Sequence, residues 1–229
     1  MPAFKWSELK QERIDPGYSS AKGVMIRGVK IAGGRFTYPA GTEVKPHATA
    51  HEQIQSFLRG KAKFCVGGEE QVVGPGEAVL IRANTPYSAQ ILEELEVVGF
   101  QDLRPSKGGG QPGRAFFKWE ELTSDFITPK YSSGRGPVVT GESIEVAFMF
   151  YPGGTEAKEH SHPNEQIQIG LKGKVKYSIG GEEIVSGEEG GVLMPVDIRH
   201  SVTVLEDYTV INCKDIVQGF SVYDAAWKK

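Results

Sequence analysis

The chain is poor in most of the features that assign a function at a glance. It has two cysteines, Cys65 and Cys213, too few for a disulfide framework, and each reads as a buried small apolar side chain. Charge of one sign is missing as well. The 29 Asp+Glu nearly cancel the 26 Lys+Arg, for a net charge of −3. That balance leaves no electrostatic footprint for nucleic acid or an anionic membrane. No apolar run is long enough to span a bilayer. The opening segment MPAFKWSELKQER lacks the apolar stretch and cleavage site of a signal peptide, which makes a cytoplasmic location the default expectation. Helical periodicity is almost absent. What is plentiful is glycine, 29 of 229 residues, together with 13 prolines, the punctuation of a turn-rich β protein.

The chain repeats itself. Phe4-Lys5-Trp6-Ser7-Glu8-Leu9 returns as Phe117-Lys118-Trp119-Glu120-Glu121-Leu122, and the same offset keeps matching without a gap. Tyr38-Pro39 meets Tyr151-Pro152, Gly41-Thr42-Glu43 meets Gly154-Thr155-Glu156, and Glu52-Gln53-Ile54-Gln55 meets Glu165-Gln166-Ile167-Gln168. Roughly forty of about a hundred aligned pairs are identical, which marks a duplicated domain rather than a solenoid unit. The repeat divides the chain into residues 1–103 and 116–229, with 104–115 as a Gly/Pro-rich linker. Within each copy the signals are short strands: 144–151, 166–171, 174–179, 201–205 and 208–213 in the second, with Gly180-Gly181 as a hairpin turn. An antiparallel sandwich or barrel in each copy follows. The segments at Trp6 and Trp119 read as short helical turns whose indoles pack against the barrels.

Histidine is scarce, and its placement is informative. The five residues are His47, His51, His160, His162 and His200. On an extended strand His160 and His162 face the same way, Gln166 stays in phase, and Glu165 falls on the opposite face. His200 follows a turn at 194–197 and starts another strand. Three imidazoles and an amide oxygen converging from separate elements suit one divalent metal ion with room for exchangeable ligands.

The segment Gly154-x5-His160-Ser161-His162-x3-Gln166-x6-Gly173 resembles the first motif of the cupin superfamily, and Pro195-x-Asp197-x2-His200 resembles the second. With two copies, the chain looks like a bicupin, which implies two tandem all-β jelly-roll barrels (the double-stranded β-helix). Gln166 stands where most cupins carry glutamate, Asp197 replaces the usual glycine, and Val204 occupies the place of a frequent asparagine. The run from Ser161 to Ile167 is similar to the cupins that open unsaturated uronates in pectin degradation. It is also similar to the bicupin isomerases of bacilysin biosynthesis. The resemblance implies metal-assisted proton transfer without net oxidation.

The first copy keeps only part of the set. His47 matches His160 and Gln53 matches Gln166, but Thr49 replaces His162 and Tyr87 replaces His200. His51, aligned with Asn164, is a weak substitute. His47, Gln53 and Tyr87 therefore read either as a satisfied polar cluster or as a metal-free pocket. The expectation is one divalent transition metal per chain (Zn, Ni, Fe, Mn or Co) on His160, His162, Gln166 and His200. The activity expected is of isomerase or lyase type, on a small anionic carboxylate or enolisable carbonyl compound. Two alternatives stand beside it: a cupin dioxygenase using Fe, Mn or Ni and O2, and a non-catalytic binding bicupin. Tyr151, Tyr177 and Gln168 are candidates for a proton-transfer role only through strand alternation. The chain is expected to be a monomer or a homodimer, since a duplicated barrel reproduces the pairing of single ones while a free sheet edge still permits a dimer.

Overall fold

The computed structural model describes residues 3–106, 113–127 and 132–220. Residues 107–112 of the expected linker, and Tyr131, lie outside them. Among the described residues all regular structure is β-strand except two single-turn 3-10 helices, Trp6–Glu8 and Trp119–Glu121. These are the helical turns expected at the two tryptophans. Trp119 is buried and its indole N–H donates to Ser56 Oγ at 3.0 Å. Trp6 is only half-buried and donates to the carbonyl of Glu188 at 3.1 Å. No helix is long and apolar enough to cross a membrane among the described residues.

The strands of the second copy fall where the sequence placed them, with small changes at their ends: Ile144–Tyr151, Gln166–Lys172, Lys174–Ile179, His200–Val204 and Tyr208–Asp215. Gln166–Lys172 runs between Gly190–Met194 and Tyr208–Asp215, and Tyr208–Asp215 lies beside Ile144–Tyr151. Glu156–His160, His200–Val204, Lys174–Ile179 and Glu182–Gly187 form a four-stranded sheet. In the first copy two long strands, Gln53–Val66 and Tyr87–Asp102, pair along their whole length and run through both faces of one nine-stranded sheet. Alternating strand residues fill each interior: Phe57, Phe64, Ile81, Val97 in one, Met149, Val175, Tyr177, Val192, Val210 in the other.

Repeat boundaries and packing boundaries differ. One compact unit draws on Met1–Glu8, Leu122–Val138 and Glu145–Lys229, the other on Leu9–Glu121 and Val139–Ile144. The division at 103 and 116 follows the repeat, but the start of each copy adds a strand to the sheet of the other. Ala3–Lys5 pairs antiparallel with Gly190–Met194, and Phe116–Lys118 with Glu77–Ile81. Phe4 is thereby buried against Gly191, where a Cβ would meet its ring at 2.8 Å. The reason is edge satisfaction: each arm pairs the open edge of a sheet that otherwise ends there.

Cys213 is buried as expected. Cys65 is only half-buried and lines a surface groove with Lys63 and Glu70, so its reading as a core side chain is corrected. In that groove the strand alternation that carries Phe64 inward turns Cys65 outward.

Candidate metal centre

His160 ends the strand Glu156–His160 and His200 begins His200–Val204, and the two are paired across the sheet after a register shift between Ala157 and His160. The turn before His200 holds Asp197 at φ 58°, and the equivalent Asn84 of the first copy sits at φ 59°. Asp and Asn tolerate this left-handed conformation better than other non-glycine residues, which is how Asp197 stands in the place of glycine. His162 is not on the strand. Residues 161–165 are irregular, with a bend at 163–164, and Gln166 opens the next strand. The convergence of His160, His162 and Gln166 therefore comes from a bulge and a turn, not from the uninterrupted alternation the spacing suggested. The outcome for the carboxylate is nonetheless as expected, because Gln166 and not Glu165 lines the interior.

The three imidazoles offer ligand atoms within 4.8 Å of one another, the one such group of His, Cys, Asp or Glu side chains found among the described residues. Their rings lie 4.3 to 5.9 Å apart between centroids. Each Nδ1 is held by a backbone carbonyl: His160 by Lys158 at 2.7 Å, His162 by Asn164 at 3.0 Å, His200 by Ile198 at 2.9 Å. A carbonyl can only accept, so each Nδ1 carries the proton and each Nε2 presents its lone pair inward. His162 Nε2 lies 2.9 Å from Gln166 Oε1. A neutral His162 Nε2 and the Gln166 amide thus turn toward the same point. Three imidazole nitrogens and an amide oxygen are donor types that hold a divalent transition metal, so the residues present fit one.

Burial reinforces the neutral state. It pulls the His162 pKa down to about 2 and that of His200 down to about 4, with the Lys214 charge acting in the same direction. His160, less deeply placed, is lowered by burial as well. At neutral pH the site is three uncharged imidazoles and an amide.

The turn is locked from below. Asp215 is fully buried; its Oδ1 accepts the Glu165 N–H and its carbonyl accepts the Asn164 amide, both at 2.6 Å. Asn164 in turn supplies the carbonyl that orients His162. Beside the ligands lies a cavity of about 30 Å3 lined by His160, Gln166, His200, Tyr151, Asn212 and Lys214 among others. That is the volume of one water or one ligating group. Lys214 and Glu145, on neighbouring strands, are both buried. Burial lowers the Lys214 pKa and raises that of Glu145, while each charge partly restores the other. Sequence reasoning missed both residues. The repeat held the signal: Glu145 falls on Ala32 and Lys214 on Gln101, so two charges enter one copy at positions that are uncharged in the other. Of the candidates for proton transfer, Tyr177 donates to Gln168 Oε1 at 2.6 Å and is held in the core, whereas Tyr151 reaches the cavity.

The first copy keeps the shape without the ligands. His47 and Tyr87 pack at 4.3 Å between ring centroids, the spacing of His160 and His200, and Tyr18 stacks on His47 at 4.0 Å. Neither His47 nor His51 joins a metal-ligating group among the described residues. Gln53 lines an interior cavity, but His47 and Tyr87 do not. The Tyr87 side chain nonetheless reaches Gln53, whose amide N–H also donates to Thr49 Oγ1 at 3.2 Å.

Two stretches, residues 34–98 and 147–210, match the model of the cupin domain. Together they span more than half of the chain, one in each copy. The chain belongs to the cupin family, and its two matches make it a bicupin. Among curated proteins no sequence matches it. Solved structures share its fold at low identity. AerE from Microcystis aeruginosa is 15% identical with a TM-score of 0.74, covering 91% of this chain and 97% of its own. The oxalate decarboxylase of Lactobacillus farciminis, in complex with formate, is 12% identical at 0.73, with 96% and 87% covered. The Bacillus subtilis oxalate decarboxylase, a protein with Mn(II) centres, is 14% identical at 0.70, with 94% and 77% covered.

Proposed function

We propose that the second barrel is a metal-dependent active site of isomerase or lyase type, moving a proton on a small carboxylated or enolisable carbonyl compound of the sugar-acid or keto-acid class. One observation carries the reading: the four converging donors, three imidazole Nε2 atoms and one amide oxygen, are all uncharged. A divalent transition metal (Zn, Ni, Fe, Mn or Co) on His160, His162, Gln166 and His200, one per chain, would retain its double charge and supply Lewis acidity for a carbonyl oxygen.

The chain's own residues do the rest. Lys214 lines the same cavity, and its N–H groups donate hydrogen bonds that orient a substrate carboxylate. Glu145, buried beside it, is an acceptor for a proton handed on from Lys214. Ile127, Met149 and Met194 line the cavity and limit the water that competes with substrate. The small volume suits the entry of one ligating group at a time.

The test is deuterium exchange into a panel of keto acids and sugar acids, followed by proton NMR with the metal-loaded protein. Exchange at the carbon beside the carbonyl is expected for at least one compound, and its loss in Lys214→Met with metal retained. Absence of exchange across the panel, with metal bound, contradicts the reading. A neutral three-histidine set is also compatible with oxygen chemistry, so the same reactions belong in an oxygen electrode. Proton transfer consumes no O2, whereas stoichiometric uptake would replace the isomerase with a dioxygenase.

A further inference from the structure

The interior that the second barrel fills is open in the first. A cavity of about 280 Å3 lies inside the first barrel, against about 30 Å3 at the equivalent place in the second. The difference is legible residue by residue. Gly99 stands where the second copy has Asn212, Ala32 where it has Glu145, and Gln101 where it has Lys214. The volume lies just below the roughly 300–1,000 Å3 of small-molecule pockets.

One buried group in this cavity lacks a partner. Gln168 of the second copy is satisfied, because Tyr177 donates to its Oε1 at 2.6 Å. Its counterpart Gln55 lines the cavity and is 7% exposed, and its Oε1 has no hydrogen bond. The donor is gone because Phe64 replaces Tyr177. A buried acceptor left unpaired costs free energy that a ligand donor recovers.

The mouth carries charges that the second copy lacks. Arg13 and Arg27 line the cavity where the other copy has Phe126 and Thr140. Arg27 is paired with Glu12 at 2.8 Å. Arg13 makes no ion pair among the described residues. Asp15, also at the cavity, adds one acidic group, so the lining suits a monocarboxylate with a donor group better than a polyanion. Ile14, Met25 and Phe36 offer an apolar wall.

We propose that the interior of the first barrel is a metal-free binding site for a small organic carboxylate that also carries a hydroxyl or amino donor and an apolar body. Arg13 receives the carboxylate, Gln55 Oε1 accepts from the donor, and the body lies on Met25 and Phe36. The site is independent of the chemistry assigned to the second barrel.

Calorimetric titration of the full chain, depleted of metal by a chelator, tests this. The probes are phenyllactate and 3-phenylpropionate, which differ only in the hydroxyl. Phenyllactate is expected to bind at one site per chain and about tenfold more tightly than 3-phenylpropionate. Gln55→Met, of similar volume, should erase that preference, and Arg13→Gln, an exposed substitution, should weaken both probes by about tenfold. His162→Ala should change neither. The proposal is overturned by the absence of saturable binding at an affinity of about 1 mM or tighter. It is overturned equally if binding follows His162 while Arg13→Gln and Gln55→Met leave it intact.

Discussion

At the residue scale, the two copies work as an internal control. His47 and His160 occupy the same place with the same Nδ1 contact, to Lys45 and Lys158, each at 2.7 Å. What separates a histidine triad from an aromatic stack is the presence of Thr49 where the second copy has His162, and of Tyr87 where it has His200. Burial of His162 and His200 makes a pH prediction with a definite sign. Their folded-state pKa values are lowered, to about 2 and about 4. Above about pH 6.5 they are neutral folded and unfolded. As the pH falls below that, the unfolded chain takes up protons the folded one refuses, so stability is lost, by up to about 1.4 kcal/mol per pH unit per histidine. Urea unfolding of the metal-free protein should therefore show declining stability from pH 6.5 toward 4, with a shallower decline in His200→Asn. A flat curve over that window, identical in the variant, would count against neutral buried imidazoles.

At the scale of elements, turn chemistry decides whether the barrels form. Gly173 has φ +80°, and a Cβ there would meet the Asp207 carbonyl oxygen at 2.0 Å. Gly154 has the same φ with nothing within 4 Å. Gly173→Ala should cost about 3 kcal/mol or more, because steric collision with backbone adds to the left-handed strain, and Gly154→Ala about 1 kcal/mol. Denaturant midpoints compare them directly; equal losses would mean that the tight approach at Gly173 carries no weight. Strands and their turns were legible in the sequence because alternation and glycine pairs are local signals. The histidine triad was legible too, through spacing and the repeat, although its convergence is reached by a less regular path than strand alternation. A register shift at 157–160 and the bend at 163–164 depend on pairing with a strand some forty residues away, which no local pattern encodes. Lys214 and Glu145 escaped notice for a related reason: a lysine in an apolar run reads as an exposed residue until the fold shows both faces covered.

At the scale of the molecule, each copy lends its first strand to the other's sheet, and a repeat read along the chain cannot reveal that exchange. It predicts where damage at the N-terminus is felt. Phe4→Ala should destabilise the unit that carries the histidines by roughly 3 kcal/mol. Hydrogen exchange followed by mass spectrometry should show faster exchange in Gly190–Met194 and Gln166–Lys172, with Gln53–Val66 unchanged. Faster exchange confined to the first copy would contradict the swapped pairing. Duplication also explains how one scaffold holds two interiors of opposite character. One is filled with a histidine triad and a buried lysine, the other is open with arginines at its mouth. The central claim is that only the second interior holds a metal, and elemental analysis of the purified protein alongside His162→Ala and His47→Ala tests it most directly. The account predicts about one transition metal per chain in the parent and in His47→Ala, and a near-complete loss in His162→Ala. Two metals per chain, or a content that follows His47 rather than His162, would contradict it.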